Sequence, residues 1–160
     1  MCSLFLICSE CFSEQELTDK FGEDSYFLTS LGAIFDQDSS TYTANIQYLI
    51  STLPIKKVCL FQSVGCNFIN QNFNAGLDKI GLPTEEAFAS DYRDIVKKPV
   101  VSISQFDRKL ELAEINLSRQ IAFVRQVVDD LNNTTAKHML EGVIYGEGKT
   151  FSDKKVIRKV

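Results

Sequence analysis

The sequence has little positive charge and no long hydrophobic stretch. Its 160 residues include 17 lysines and arginines against 21 acidic residues, which gives a net charge of −4. Proteins that bind nucleic acids or anionic membranes need a concentrated basic face, so we expect neither kind of partner. No apolar run approaches the roughly 20 residues that a membrane-spanning helix needs.

The chain also lacks residues on which common catalytic sites depend. It contains 1 histidine, His138, so a catalytic triad would have a single candidate base. Nothing in the sequence brings that base near Ser63 or Cys66. No glycine-rich loop of the phosphate-binding type is present. The opening apolar segment has no preceding basic residues and no small-residue cleavage site, so we expect no signal peptide.

Cysteine is the reactive residue that the chain does contain. There are 5 cysteines, an odd number, and Cys2, Cys8, Cys59 and Cys66 lie in or beside apolar segments. This pattern favours reduced thiols in the cytoplasm over a secreted disulfide framework.

Short apolar runs alternate with segments of helical periodicity. The predicted strands are residues 4–7, 26–29, 58–61 and 139–145, with an extended segment at 99–103 and a hairpin arm at 149–151. Two predicted helices begin at the capping signals of Ser13 and Ser104, and three more cover residues 46–53, 70–80 and 84–95. This alternation predicts one α/β domain over residues 1–160. It would have a mostly parallel open sheet, helices on both faces and an antiparallel last strand.

Five segments resemble the β-class carbonic anhydrases, in the order in which that family has them. They are residues 6–12 (LICSECF), 24–34, 44–50, 57–63 (KVCLFQS) and 142–145 (GVIY). The first stands where the family has a strand running into Cys-Ser-Asp-Ser-Arg, and the fourth stands where it has a strand ending in Gly-His-Ser. The resemblance implies the family's open-sheet fold and a homodimer.

The resemblance also assigns candidate metal ligands. The family holds zinc with a Cys after its first strand, and with a His and a Cys that follow its third. Cys8 matches the first ligand. Gln62, followed by Ser63, stands at the position of the His, and the second Cys position falls on Gly65, one residue before Cys66.

The residues beside these ligands differ from the family's pattern as well. Glu10 and Phe12 stand where the family has an Asp–Arg pair beside the metal. An amide such as Gln62 is a weak zinc ligand. We therefore expect a protein that has lost most zinc ligands, is not an active hydratase and holds no resident cofactor. Its pocket would be left for a small anion or another small molecule.

Two alternatives remain open. In the first, Cys8, Cys11 and Cys66 supply three thiolates, with Glu10 as a further ligand, to zinc in a rearranged site that still hydrates carbon dioxide. In the second, Cys8 and Cys11 form a redox pair between a strand and a helix. The helix-capping signal at Ser13 lies too late for the helix to stabilise either thiolate well.

Overall fold

A computed structural model describes residues 2–36, 39–68, 104–131, 139–146, 148 and 155–159. The segments predicted at 70–80, 84–95, 99–103 and 149–151 lie outside these residues, as does His138.

The described strands are β1 (Ser3–Ile7), β2 (Ser25–Thr29), β3 (Lys57–Ser63), β4 (Met139–Tyr145) and β5 (Val156–Lys159). The helices with bounds inside the described residues are α1 (Glu14–Phe21), α2 (Ser39–Thr52) and α3 (Gln105–Asp129), with a 3-10 turn at Leu31–Ala33. Among them, no helix combines the length and the apolar character needed to cross a membrane.

The strands form one sheet in the order β2-β1-β3-β4-β5. The first four strands are mutually parallel, and β5 runs antiparallel to β4. This arrangement confirms the predicted α/β fold with a mostly parallel sheet and an antiparallel last strand.

Both helix starts that the sequence predicts from capping residues are present. Ser13 lies one residue before α1 begins, and its side chain accepts a hydrogen bond from the backbone N–H of Glu16 at 3.5 Å. Ser104 and Asp107 form a reciprocal capping box at the start of α3. These caps satisfy N–H groups that the first turn of a helix leaves unpaired.

Alternate residues of the strands point to two differently built sheet faces. We call the face packed against α2 and α3 the thiol face; its strand residues include Leu4, Leu6, Val58, Leu60 and Ile144, and Cys8 extends it. We call the face packed against α1 the aromatic face; its residues include Phe5, Ile7, Cys59, Phe61, Val143 and Tyr145. Helices therefore cover both faces, as predicted.

A glycine lets α3 approach β4 closely on the thiol face. A Cβ atom added to Gly142 would lie 2.5 Å from Ile121 Cδ1 and 3.2 Å from Leu117 Cδ1. Such close packing of helix and strand leaves no room for a side chain at this position. It sets the distance between α3 and the carboxyl ends of the parallel strands.

Candidate metal centre

Three cysteines meet at the carboxyl ends of β1 and β3. Cys8 directly follows β1, and a turn in which the Cys11 N–H donates to the Cys8 carbonyl at 3.0 Å brings Cys11 back toward it. Cys66 follows β3 in a turn closed by its N–H on the Ser63 carbonyl at 3.3 Å. The Sγ atoms of Cys8 and Cys66 are 3.6 Å apart. All three sulfurs lie within 4.8 Å of one another.

The cluster stabilises a thiolate at Cys8. Hydrogen bonds from Cys11 and then Cys66 lower the pKa of the Cys8 thiol, helped by the N–H groups of Glu10 and Gly32 and opposed by burial. The same contacts, with Cys66 first, raise the pKa of Cys11. Of these two thiols, Cys8 therefore loses its proton first, which favours binding of a cation at its sulfur.

Gly32 holds Cys8 in place through an unusual backbone conformation. Its N–H donates to Cys8 Sγ at 3.2 Å, and its carbonyl accepts from Asn116 Nδ2 at 3.1 Å. Gly32 has φ 65° and Ala33 has φ 54°. Positive φ is accessible to glycine but strained for alanine. The 3-10 turn that directs the Gly32 N–H at the sulfur therefore carries backbone strain at Ala33.

The spacing of the sulfurs fits a zinc ion. Zinc binds thiolates at about 2.3 Å in a tetrahedral arrangement, which separates neighbouring sulfurs by about 3.8 Å. The Cys8–Cys66 separation of 3.6 Å is close to this value. Both residues are buried, each at 1% exposure, so water competes poorly with the sulfurs for the ion. The three cysteines thus offer three sulfur ligands that could hold a metal ion.

The two residues that replace the family's Asp–Arg pair do not join the sulfurs. Glu10 is exposed and is not part of the ligand group. Phe12 is buried on the aromatic face, where its ring centroid lies 5.8 Å from that of Phe61 and 5.7 Å from that of Tyr145. Neither is arranged as an acid or base beside the cluster.

The residues at the end of β3 are buried and belong to hydrogen-bond networks. Gln62 Oε1 accepts from Asn116 Nδ2 at 2.8 Å. The Ser63 hydroxyl donates to the Gly146 carbonyl at 3.4 Å and accepts from the Gly65 N–H at 3.2 Å. Ser63 therefore supports the turn that carries Cys66.

Sequence reasoning missed a polar network on α3. Gln120 Oε1 accepts from the N–H of Phe35 at 2.8 Å, and Gln120 Nε2 donates to Asp36 Oδ1 at 2.8 Å. Arg119 forms an ion pair with Asp36 at 2.8 Å and donates to Asn116 Oδ1 at 3.2 Å. Asn116 and Gln120, one helical turn apart inside the apolar stripe of α3, were the available signal because buried polar residues need partners.

Comparison with solved structures places this architecture among known ones. The chain is similar to the β-carbonic anhydrase CafA of the fungal pathogen Aspergillus fumigatus, with 18% identity over 98% of this chain and 74% of the other, at a TM-score of 0.70. A tetrameric β-carbonic anhydrase of Sordaria macrospora matches at 15% identity, 99% and 82% coverage and TM-score 0.75. The Coccomyxa β-carbonic anhydrase in complex with acetazolamide matches at 14% identity over 99% of this chain and 73% of the other, at a TM-score of 0.70. Neither a protein-family model nor a curated protein sequence matches.

The molecule is an α/β open-sheet protein with a cluster of three thiols at the carboxyl ends of its parallel strands. Its fold is that of the β-carbonic anhydrases, which confirms the resemblance seen in the sequence. At these identities the likeness establishes the fold alone.

Proposed function

We propose that this protein binds a zinc ion through Cys8, Cys11 and Cys66, and that it is not a carbon dioxide hydratase of the usual β-carbonic anhydrase type. The observation that carries the proposal is the approach of the three sulfurs to within 4.8 Å. Of the ligand sets weighed from the sequence, the geometry best supports the three thiolates.

The identity of the donors argues against efficient hydration. A catalytic zinc ion supplies an acidified water, and it usually has neutral imidazole among its ligands. Three thiolates donate more negative charge than the ion carries, so a bound water stays less acidic. Glu10 is exposed and Phe12 is packed among aromatic rings, so neither supports proton transfer at the centre.

A zinc-dependent hydratase with this rearranged site is the second candidate. It is favoured by one feature, the fourth position that three thiolates leave open on a tetrahedral ion. A redox role for Cys8 and Cys11 has less support, because Cys8 is 1% exposed. In addition, α1 begins only at Glu14, after the Ser13 cap, so the helix N-terminus does not activate either thiol.

Metal analysis of protein purified under reducing conditions tests the proposal. We expect about one zinc per chain in the wild type and little in Cys8→Ser or Cys66→Ser. Cys59→Ser is the matched control, because Cys59 is equally buried but lies on the aromatic face. Wild-type protein without zinc, or equal zinc in Cys8→Ser and Cys59→Ser, would refute the thiolate site. Rapid carbon dioxide hydration by the zinc-loaded wild type would favour the second candidate.

The remaining proposals concern assembly and environment. We propose a homodimer, supported by the oligomeric state of the similar Sordaria macrospora structures, which are tetrameric. We also propose a reducing compartment such as the cytoplasm, because all the cysteines, Cys2, Cys8, Cys11, Cys59 and Cys66, are free thiols. Light scattering of the purified chain measures the first proposal, and a single species of monomer mass contradicts it.

A further inference from the structure

The two ends of the Gln62 carboxamide differ in their hydrogen bonding. Gln62 is 2% exposed. Its Oε1 accepts a 2.8 Å hydrogen bond from Asn116 Nδ2. Its Nε2 is buried and has no hydrogen-bond partner among the residues that the structure describes. A buried amide N–H without an acceptor is uncommon because the lost hydration is not replaced. This donor is therefore open to an acceptor that the described residues do not supply.

The orientation of this carboxamide is fixed by its neighbour. Asn116 Nδ2 can only donate, so exchanging the ends of the Gln62 amide would set two donors against each other. Asn116 is itself held the same way round: Nδ2 also donates to the Gly32 carbonyl at 3.1 Å, while Oδ1 accepts from Arg119 at 3.2 Å and from Gln120 at 3.3 Å. Gln62 Nε2 is therefore turned away from Asn116 by a network with several anchors.

The strand register brings Gln62 to the level of Cys8, at the carboxyl ends of the parallel strands. Leu6 of β1 pairs with Leu60 of β3 in a parallel register. Cys8 and Gln62 each follow two residues later, so their side chains leave the thiol face at the same level of adjacent strands. Gly32 connects them further, because it donates to Cys8 Sγ and accepts from the same Asn116 amide that holds Gln62.

We propose that Gln62 Nε2 is the hydrogen-bond donor that admits a small anion to the thiolate centre, and that Asn116 is the residue that positions it. The inference rests on the proposed metal site, whose open position would receive the anion. Three thiolates outweigh the charge of a divalent cation, so an incoming anion is repelled unless a donor offsets the repulsion. A fixed N–H at Gln62 is suited to this role because no reorganisation is needed when the anion arrives.

Two variants of Gln62 and one of Asn116 separate the donor from other effects. Gln62→Glu keeps an acceptor for Asn116 but replaces the N–H donor with an anionic group. Gln62→Met removes the donor without adding charge. Asn116→Asp leaves Gln62 intact but supplies an acceptor that draws Nε2 away from the centre. Gln105→Glu, at the exposed start of α3, adds the same charge elsewhere and is the control.

The measurement is acetate binding to the protein loaded with Co²⁺ in place of zinc, followed by the visible spectrum of the ion. We expect the acetate dissociation constant to rise about ten-fold or more in each Gln62 and Asn116 variant, as for loss of a hydrogen bond to a charged group. The stoichiometry of bound Co²⁺ should stay at the wild-type value in every variant, and Gln105→Glu should bind acetate like the wild type.

The outcomes distinguish this inference from the proposal beneath it. If the wild type binds Co²⁺ but not acetate, or if Gln62→Met and Asn116→Asp bind acetate as tightly as it does, the donor role is refuted and the metal site stands. An equal loss in Gln105→Glu refutes the donor role as well, because it reports a general charge effect. If the wild type binds neither Co²⁺ nor zinc, the proposed function and this inference both fail.

Discussion

The two faces of the sheet are made by the same strands but hold different chemistry. On the thiol face, sulfurs and buried amides converge at the strand ends. On the aromatic face, the space is filled by rings in contact, with Phe61 5.1 Å from Tyr145 and 5.4 Å from Phe5 between centroids. Strand side chains alternate in direction, so one strand can build a reactive face and an inert one at once.

Two cysteines of adjacent strands show the consequence of this division. Cys8 is surrounded by donors that lower the pKa of its thiol. Cys59 has its pKa raised to about 11, mainly by burial on the aromatic face. Both thiols are buried, so the difference in pKa arises from their neighbours, and of the two it is Cys8 whose thiolate is stabilised.

The largest expected effect comes from removing a ring at the centre of the aromatic face. Phe5 is 1% exposed, stacks on Phe27 and contacts Phe61 edge to face. We expect Phe5→Ala to lower the free energy of unfolding by about 3–5 kcal/mol, since it removes buried area and leaves a cavity. Urea unfolding followed by circular dichroism measures this. Phe106→Ala, at a side chain that is 42% exposed, is the control, and an equally small loss in both would contradict the picture of a tightly packed face.

Zinc should stabilise the molecule through the thiol face alone. At about 100 times its dissociation constant, a ligand that binds only the folded state raises the free energy of unfolding by about 2.7 kcal/mol. We expect this increase in the wild type and in Cys59→Ser, its loss after treatment with a chelator, and no increase in Cys8→Ser. A gain in Cys8→Ser equal to that of the wild type would show that zinc acts elsewhere.

Adding one methyl group between α3 and β4 should disturb the thiol face by a smaller amount. We expect Gly142→Ala to lower the free energy of unfolding by about 1–3 kcal/mol, because the new Cβ would overlap Ile121 Cδ1. Ile121→Val removes that Cδ1 atom. The double variant should therefore be more stable than the sum of the two single changes implies, and strict additivity in a double-mutant cycle would argue against direct overlap.

The smallest effect concerns a charged group at the rim of the aromatic face. Glu141 forms ion pairs with Lys57 and, at 3.4 Å, with Lys159. The hydrogen bond from Lys57 is the main cause that lowers the pKa of Glu141. Its ionised form therefore stabilises the fold above the unfolded pKa of about 4.3, and this contribution is lost as the pH falls through the lower folded pKa.

Comparing Glu141→Gln with the wild type across pH measures that contribution. The side chains of Lys57 and Glu141 are 26% and 22% exposed, so we expect a difference below about 1 kcal/mol at neutral pH. It should shrink toward zero in acid. A difference that grows as the pH falls would reverse the assigned sign.

Local patterns predicted much of the fold because their causes are local. The apolar run that starts at Leu4 and the capping residues Ser13 and Ser104 act within a few residues, and each predicted the correct element. The antiparallel last strand was predicted as well and is present as β5, whereas the arm proposed at 149–151 lies outside the described residues. The position of the turn after β4 depends on how the strands pair across the sheet, and local sequence propensity does not determine that pairing.

The candidate site was less accessible to sequence reasoning. In the comparison with the family's sequence pattern, Cys66 lies one residue after the position of the second Cys ligand. The turn after β3 nevertheless brings its sulfur to 3.6 Å from that of Cys8. The role of Asn116 depends on contacts with Gly32 and Gln62 that are 84 and 54 residues distant in sequence. Such contacts follow from how α3 docks on the sheet, and the apolar stripe alone does not specify which polar groups will meet.

The sequence by itself determined where strands β1 to β4 and helices α1 and α3 lie and which thiols are available, because these follow from short-range patterns and residue type. Only the tertiary structure decided that three of those thiols converge and that Phe12 packs among rings. It also decided that Gln62 Nε2 has no hydrogen-bond partner within the described part of the chain. The physical reason is that parallel strands separated by long connections bring their carboxyl ends together only when the whole sheet has formed.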